Sequence, residues 1–160
     1  METPDSHNEN NPRLDFEFEF FSRFNGPTVI GPGPYGLREF FETVGGDVRG
    51  ERLSGRVPRG GGDWMLTTGG WGHLDVRSQI ETHDGAFILL SYHGVMELND
   101  AVLNAMKTGE GTEFSDQYWH ITPRLETGDP RYEWVNRSVF VGKGRIYPGQ
   151  GVAYRVSRVS

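Results

Sequence analysis

Asp75 and Arg77 stand two residues apart in "HLDVRSQIE" (His73 to Glu81), where Leu74, Val76 and Ile80 take one parity and Asp75, Arg77, Gln79 and Glu81 the other. This period-2 pattern is that of a half-buried strand, and it puts the Asp75 carboxylate and the Arg77 guanidinium on one face. If that face is enclosed, Arg77 can hold an oxyanion or carboxylate while Asp75 orients it or acts as a base. If it meets water, the two form an ordinary surface ion pair of little energetic worth. His120, in "QYWHITPRLE", is the one histidine inside a strand pattern with aromatic neighbours. A group titrating near neutrality there can move a proton, or can be a hydrogen-bonded core histidine. Trp64, Tyr92, Tyr118 and Trp134 offer flat surfaces for an aromatic or polycyclic ligand, a role that competes with plain core packing. Asp63 sits beside Trp64 just after a Gly-rich loop. Asn136 shares the parity of Tyr132 and Trp134, and suits a ligand carbonyl or hydroxyl as well as a backbone cap.

Bringing these groups together requires a chain that doubles back many times. "LDFEFEFFSRF" is a strand with one apolar face, and "NGPTVIGPGPYG" reads as a loop around a short strand at Thr28 to Ile30. "REFFETVGGDVRG" leads through a Gly-Gly break into "RLSGRVPRGGGDWMLTT", two strands separated by a loop from Pro58 to Gly62. The stretch at His73 to Glu81 turns at "HDG", whose Asp-Gly step is a strong hairpin signal, and returns as "AFILLSYHG". The spacing predicts one helix near Asn99 to Lys107, capped by Asn99 or Asp100, with Val102, Leu103 and Met106 on one stripe. "QYWHITPRLE", "RYEWVNRSVFVG" and "GVAYRVSRV" read as three closing strands. The expected fold is all-β: a single antiparallel β-barrel of about eight or nine strands with one short helix, spanning residues 14–160 after a disordered polar tail at residues 1–13.

Composition agrees with this and narrows the partners. The 160 residues include 23 Gly and 9 Pro, the punctuation of a turn-rich β chain, and the net charge of -6 disfavours nucleic acid and anionic membranes. With no cysteine there is neither a disulfide nor a thiolate ligand, and "METPDSHNENNPR" lacks the apolar core of a signal peptide, so a cytoplasmic location is expected. "GPGPYG" matches G-x-G-x-x-G, but Pro32 and Pro34 remove N–H donors from the loop that would hold a pyrophosphate. No closely spaced histidine and carboxylate set suggests a metal, so neither a metal nor another cofactor is expected.

"GGDVRGERLSGRVPRGGGDW", "LDVRSQIETHDGAFI" and "YWHITPRLETGDPRYEWVNRSVFVGKG" together resemble domain of unknown function family 3237. The likeness runs from about Leu14 to Val159. It is carried by Gly45-Gly46, Gly55, Gly62-Asp63-Trp64, Asp75 with Arg77, Asp84-Gly85, Tyr118, Thr122-Pro123 and Trp134 with Asn136. The resemblance implies a compact antiparallel barrel, similar in build to the allene oxide cyclase and dirigent barrels. Where a "YFRT"-like step is expected of the family, this chain has His120 in "YWHIT", which reads either as the loss of an arginine anion clamp or as the gain of a proton-transfer group.

These readings converge on one expectation. Asp75 and Arg77 face the lumen of a cofactor-independent acid–base enzyme, an isomerase, cyclase or hydro-lyase acting on a small, largely apolar, oxygenated metabolite. Asp75, Arg77 and His120 are its catalytic candidates. Asp63, Trp64, Tyr92, Tyr118, Trp134 and Asn136 are its substrate-binding candidates. A carrier of a small hydrophobic ligand would need the aromatic residues without the convergence of charge, and a structural β-module would have a filled lumen. Pairing of two copies into a homodimer is one way to cover an apolar outer face.

Overall fold

The computed structural model describes residues 9–160. Of the tail expected at residues 1–13, residues 1–8 lie outside the described residues, while Arg13 exchanges two backbone hydrogen bonds with Ser160. Nine strands follow: β1 (Leu14–Gly33), β2 (Gly36–Gly50), β3 (Gly55–Val57), β4 (Gly62–Thr68), β5 (Trp71–Thr82), β6 (Phe87–Glu97), β7 (Trp119–Glu126), β8 (Phe140–Tyr147) and β9 (Gly151–Val159). One α-helix, α1 (Asp100–Thr108), joins β6 to β7, and a 3-10 segment at Pro130–Arg137 joins β7 to β8.

All pairings are antiparallel and they close on themselves. β1 lies between β2 and β9, β9 leads through β8, β7 and β6 to β5, and β5 returns to β2 through β3 and β4. The two short strands share one place in this ring, since β4 pairs with the first half of β2 (Leu37–Glu42) and β3 with its second half (Gly46–Val48). The result is the expected all-β, barrel-like architecture with a single short helix. Among the described residues no helix is long and apolar enough to cross a membrane.

Three local expectations are corrected. The loop foreseen around Thr28 to Ile30 is instead the continuation of β1, which runs to Gly33 beside β2 with register shifts at Asn25 and Val29. The Gly-Gly step does not break β2. Gly46 lies against the neighbouring strand so closely that a Cβ would sit 1.9 Å from the Phe21 carbonyl oxygen, so glycine lets the ladder continue where a side chain would separate it. "RYEWVNRSVFVG" is no single strand, because Asp129 accepts a hydrogen bond from the Arg131 N–H (2.9 Å) and Pro130 opens a 3-10 turn, leaving β8 to begin at Phe140.

Helix α1 forms where its caps predict. Asn99 Oδ1 accepts from the Val102 N–H (3.0 Å) and Gly109 closes the last turn in the left-handed conformation. It buries Val102 and Ala105, whereas Leu103 and Met106 stay half-exposed, so the buried stripe is narrower than the expected one.

The ring is filled by alternate residues of every strand. Phe18, Val76, Ile80, Leu90, Trp119, Ile121, Phe140, Tyr154 and Val156 are all essentially inaccessible. The apolar parity of β5 therefore takes the interior. Burying the opposite parity would have desolvated Asp75, Arg77 and Glu81 together, at a cost far above any gain in packing.

Candidate functional site

Two acids are buried among the described residues: Glu17, which Arg52 and Arg158 hold in ion pairs, and Asp63, which has no ion pair. Asp63 is the second residue of β4, opposite Phe41 of β2 and Val76 of β5, and its side chain points inward with only 6% exposure. Its Oδ1 accepts a hydrogen bond from the Asp75 backbone N–H (3.1 Å). Burial pushes its carboxyl from the ordinary 3.8 to about 7; the Asp75 hydrogen bond and the Arg38 charge pull it down, while the Asp75 carboxylate on the other side of β5 pushes it up. Asp75→Asn keeps the backbone donor and removes that charge. It is expected to lower the Asp63 midpoint in a carboxyl-carbon NMR titration, and an unchanged or higher midpoint would contradict this coupling.

Two phenols complete the cluster. Tyr92 lies opposite Val76 in the β5–β6 ladder, and Tyr154 enters from β9 with its ring 5.3 Å from that of Tyr92. Burial and the nearby Asp63 charge raise both phenols well above the usual tyrosine range, so they remain protonated donors at any physiological pH. Trp119 stands edge-on to Tyr154, its indole N–H directed toward that hydroxyl without reaching hydrogen-bond geometry. Ser78 Oγ and Thr43 Oγ1 are likewise buried without a partner.

Gly144 makes this crowding possible. A Cβ there would meet Tyr154 Cε1 at 2.7 Å and Trp119 Cδ2 at 2.8 Å, two rings held from all sides. Gly144→Ala is expected to lower unfolding free energy by about 1–3 kcal/mol in urea titration and to displace the Tyr154 ring. Wild-type stability would mean that the rings can yield.

An apolar pocket lies beside α1. About 240 Å³ in volume, just below the usual range for ligand sites, it is walled by Phe24, Phe41, Met106, Ile146 and Val152, with Glu39 on its lining. Phe41 faces inward beside Asp63, and Glu39 beside Met65, in the same ladder. The pocket is thus apolar, with one carboxylate in its wall, and its lining residue Phe41 is the ladder partner of Asp63.

Of the residues singled out from the sequence, only Asp63 and Tyr92 belong to this interior. Asp75, Arg77 and His120 point outward, which corrects the lumen assignment: Asp75 bonds His93 Nε2 at 3.1 Å, and His120 packs edge-on against the exposed Tyr118 at 4.7 Å. Trp64 is also outside, its ring 4.7 Å from Phe40. Trp134 is half-buried at the opposite end of β8, under the Arg52 guanidinium (3.7 Å) and beside Phe140. Asn136 is a backbone clasp, accepting from the Thr127 N–H (2.8 Å) and donating to the Thr127 carbonyl (2.9 Å). Tyr154 and Trp119 were missed. Their signal was "VGKG", where Gly142 and Gly144 alternate along one face of β8, Gly144 clearing space for the Trp119 and Tyr154 rings and Gly142 for the Ile121 side chain.

Known proteins share this build. The UPF0311 protein RPA1785 of Rhodopseudomonas palustris is 31% identical over 134 residues, covering 82% of this chain and 88% of that protein. Its crystal structure, that of a conserved protein of unknown function, superposes with a TM-score of 0.83 at 26% identity, covering 94% and 99% of the two chains. A β-barrel-like protein from Acinetobacter baumannii gives 0.79 at 27% identity, with 97% and 100% covered. A structure described as an enzyme from Penicillium herquei gives 0.67 over 95% and 98% of the chains, and at 18% identity this is a likeness of fold alone. With the expected motifs in order, the same closed ring of strands and a match over residues 12–159, the chain belongs to the protein family of unknown function DUF3237.

Proposed function

We propose that the protein is a cofactor-independent acid–base enzyme of the isomerase, cyclase or hydro-lyase type. Its substrate is a small, largely apolar, oxygenated metabolite that enters through the pocket beneath α1. The observation that carries this reading is Asp63: a buried carboxyl titrating near 7 beside two phenols that cannot ionise. A base poised near neutrality removes a proton most effectively, and a phenolic donor beside it stabilises the oxyanion that forms.

In this scheme the apolar body of the substrate rests against Phe24, Met106 and Val152 and its carbonyl oxygen reaches the Tyr92 and Tyr154 hydroxyls. The Asp63 carboxylate takes the proton adjacent to that carbonyl, and the C–H electron pair moves to give the enolate. Return of the proton to another carbon completes an isomerisation; departure of a leaving group on the next carbon completes an elimination. The catalytic roles first assigned to Asp75, Arg77 and His120 pass to Asp63 and the two tyrosines.

The test is a screen of cyclic enones, hydroxyketones and aryl ketones for turnover, followed by a pH–rate profile. Activity should rise with pH through about 7, as the Asp63 carboxylate forms. A profile flat between pH 5 and 9 would remove Asp63 from the chemistry. Saturable binding in the pocket with no turnover of any bound compound would make the protein a carrier.

A further inference from the structure

The outer face of the ring carries a second arrangement, independent of the interior. Arg77 of β5 and Arg124 of β7 stand on either side of Ser91 of β6 in one continuous row of the ladder. Residues directly opposite one another share a face, so the three side chains project together. Two interstrand steps place the arginine Cα atoms about 10 Å apart, a gap that two such side chains readily close.

What distinguishes these arginines is that, among the described residues, neither has an ion pair, a side-chain hydrogen bond or a ring contact. Arg49, Arg52, Arg56, Arg59, Arg131, Arg137, Arg155 and Arg158 each hold a carboxylate. Arg38 and Arg145 donate to backbone carbonyls, and Arg23 lies over the Phe21 ring. Among the described residues only Arg13 shares the unpartnered state of Arg77 and Arg124, and it stands apart at the chain's edge. The carboxylate nearest in the ladder, Asp75, is engaged by His93, and Glu126, two residues beyond Arg124, forms no ion pair with it.

The row also lies in a built hollow. A groove of about 700 Å³ has the outer faces of β5, β6 and β7 as its floor and the chain from Asn136 to Val141 as its wall. That wall is fixed by the Asn136 clasp on Thr127 and by the Ser138 hydroxyl, which donates to the Trp134 carbonyl at 2.8 Å. Two uncompensated guanidiniums with a hydroxyl between them favour a planar or tetrahedral oxyanion, which accepts their forked N–H groups in pairs. The chain's net charge of -6 opposes an extended polyanion.

We infer that this outer groove binds a small metabolite through a carboxylate or phosphate group gripped by Arg77 and Arg124, with Ser91 between them. Carboxylate and phosphate share the chemistry, and two probes separate them. Inorganic phosphate and succinate are titrated separately into the full chain at constant ionic strength, with sodium chloride as the screening control, while arginine Nε–H and backbone amide resonances are followed by NMR. At least one probe should give saturable shifts at Arg77, Ser91 and Arg124. Arg77→Met and Arg124→Met should each weaken that binding roughly tenfold or more. Arg77→Lys, which keeps the charge without the fork, should fall between, and Arg56→Met should leave it unchanged. Saturation by phosphate alone assigns a phosphate ligand, and by succinate alone a carboxylate. No saturable shift with either probe would overturn the inference, as would shifts no different from those of chloride or undiminished affinity in a folded Arg77→Met protein.

Discussion

Asp63→Asn is expected to yield a protein that is more stable than the wild type above pH 7 and that has lost its turnover. The Asp63 carboxyl titrates near 7 in the folded protein against 3.8 ordinarily. From pH 4 upward the unfolded chain therefore releases this proton while the folded chain retains it, and stability falls until the folded carboxyl also ionises near 7. The difference of about three pH units corresponds to roughly 4 kcal/mol. Below pH 4 both states hold the proton and the contribution is complete. Asparagine is neutral throughout and its side-chain oxygen can still accept from the Asp75 N–H. The two proteins should be similar near pH 4, and the variant should be ahead by about 4 kcal/mol at pH 8 in urea titrations. Turnover should fall by about 10²–10⁴-fold, the scale of a lost general base. Parallel stability profiles from pH 4 to 8 would show that Asp63 is ionised and solvated in the folded state, and the proposed chemistry would lose its base.

Trp119→Ala should be the most damaging of the tryptophan truncations. Its side chain is fully buried against the Tyr154 ring in the middle of the ring of strands, and its removal opens a cavity bounded by aromatic groups that cannot collapse into it. A loss of about 3–5 kcal/mol is expected, read as a lower urea midpoint at unchanged slope. Trp71→Ala, at a site 38% exposed, should cost less than about 1 kcal/mol. Comparable losses at both positions would mean that the Trp119 cavity is filled by rearrangement.

The local pattern of each element was legible because it depends on near neighbours. Alternation marked β5, the Asp-Gly step marked the hairpin to β6, and the Asn99 or Asp100 cap with the apolar spacing after it marked α1. The 3-10 turn before β8 was hidden because "RYEWVNRSVFVG" alternates like a strand, and only Asp129 and Pro130 upstream reveal the turn. The continuous β1 and β2 were hidden because Gly and Pro mark loops except where a facing strand needs the close approach they permit, as Phe21 does of Gly46.

The inward parity was a different matter. In "YWHITPRLE" both faces carry aromatic and apolar groups, so Tyr118 with His120 and Trp119 with Ile121 were equally plausible interiors. Read alone, "HLDVRSQIE" favoured an apolar inside, and expecting a polar lumen there set aside the cost of burying Asp75 and Arg77. The sequence by itself determined an all-β chain, its family, its single helix and the candidacy of Asp63 and Tyr92. Only the tertiary structure decided that Asp63 is buried without an ion pair, that Tyr154 joins Tyr92 beside it with Trp119 against Tyr154, and that Arg77 and Arg124 share a row outside. Strand identity is written in a period of two along the chain, whereas a side chain's dielectric and partners come from the strands beside it, and those are brought there by register.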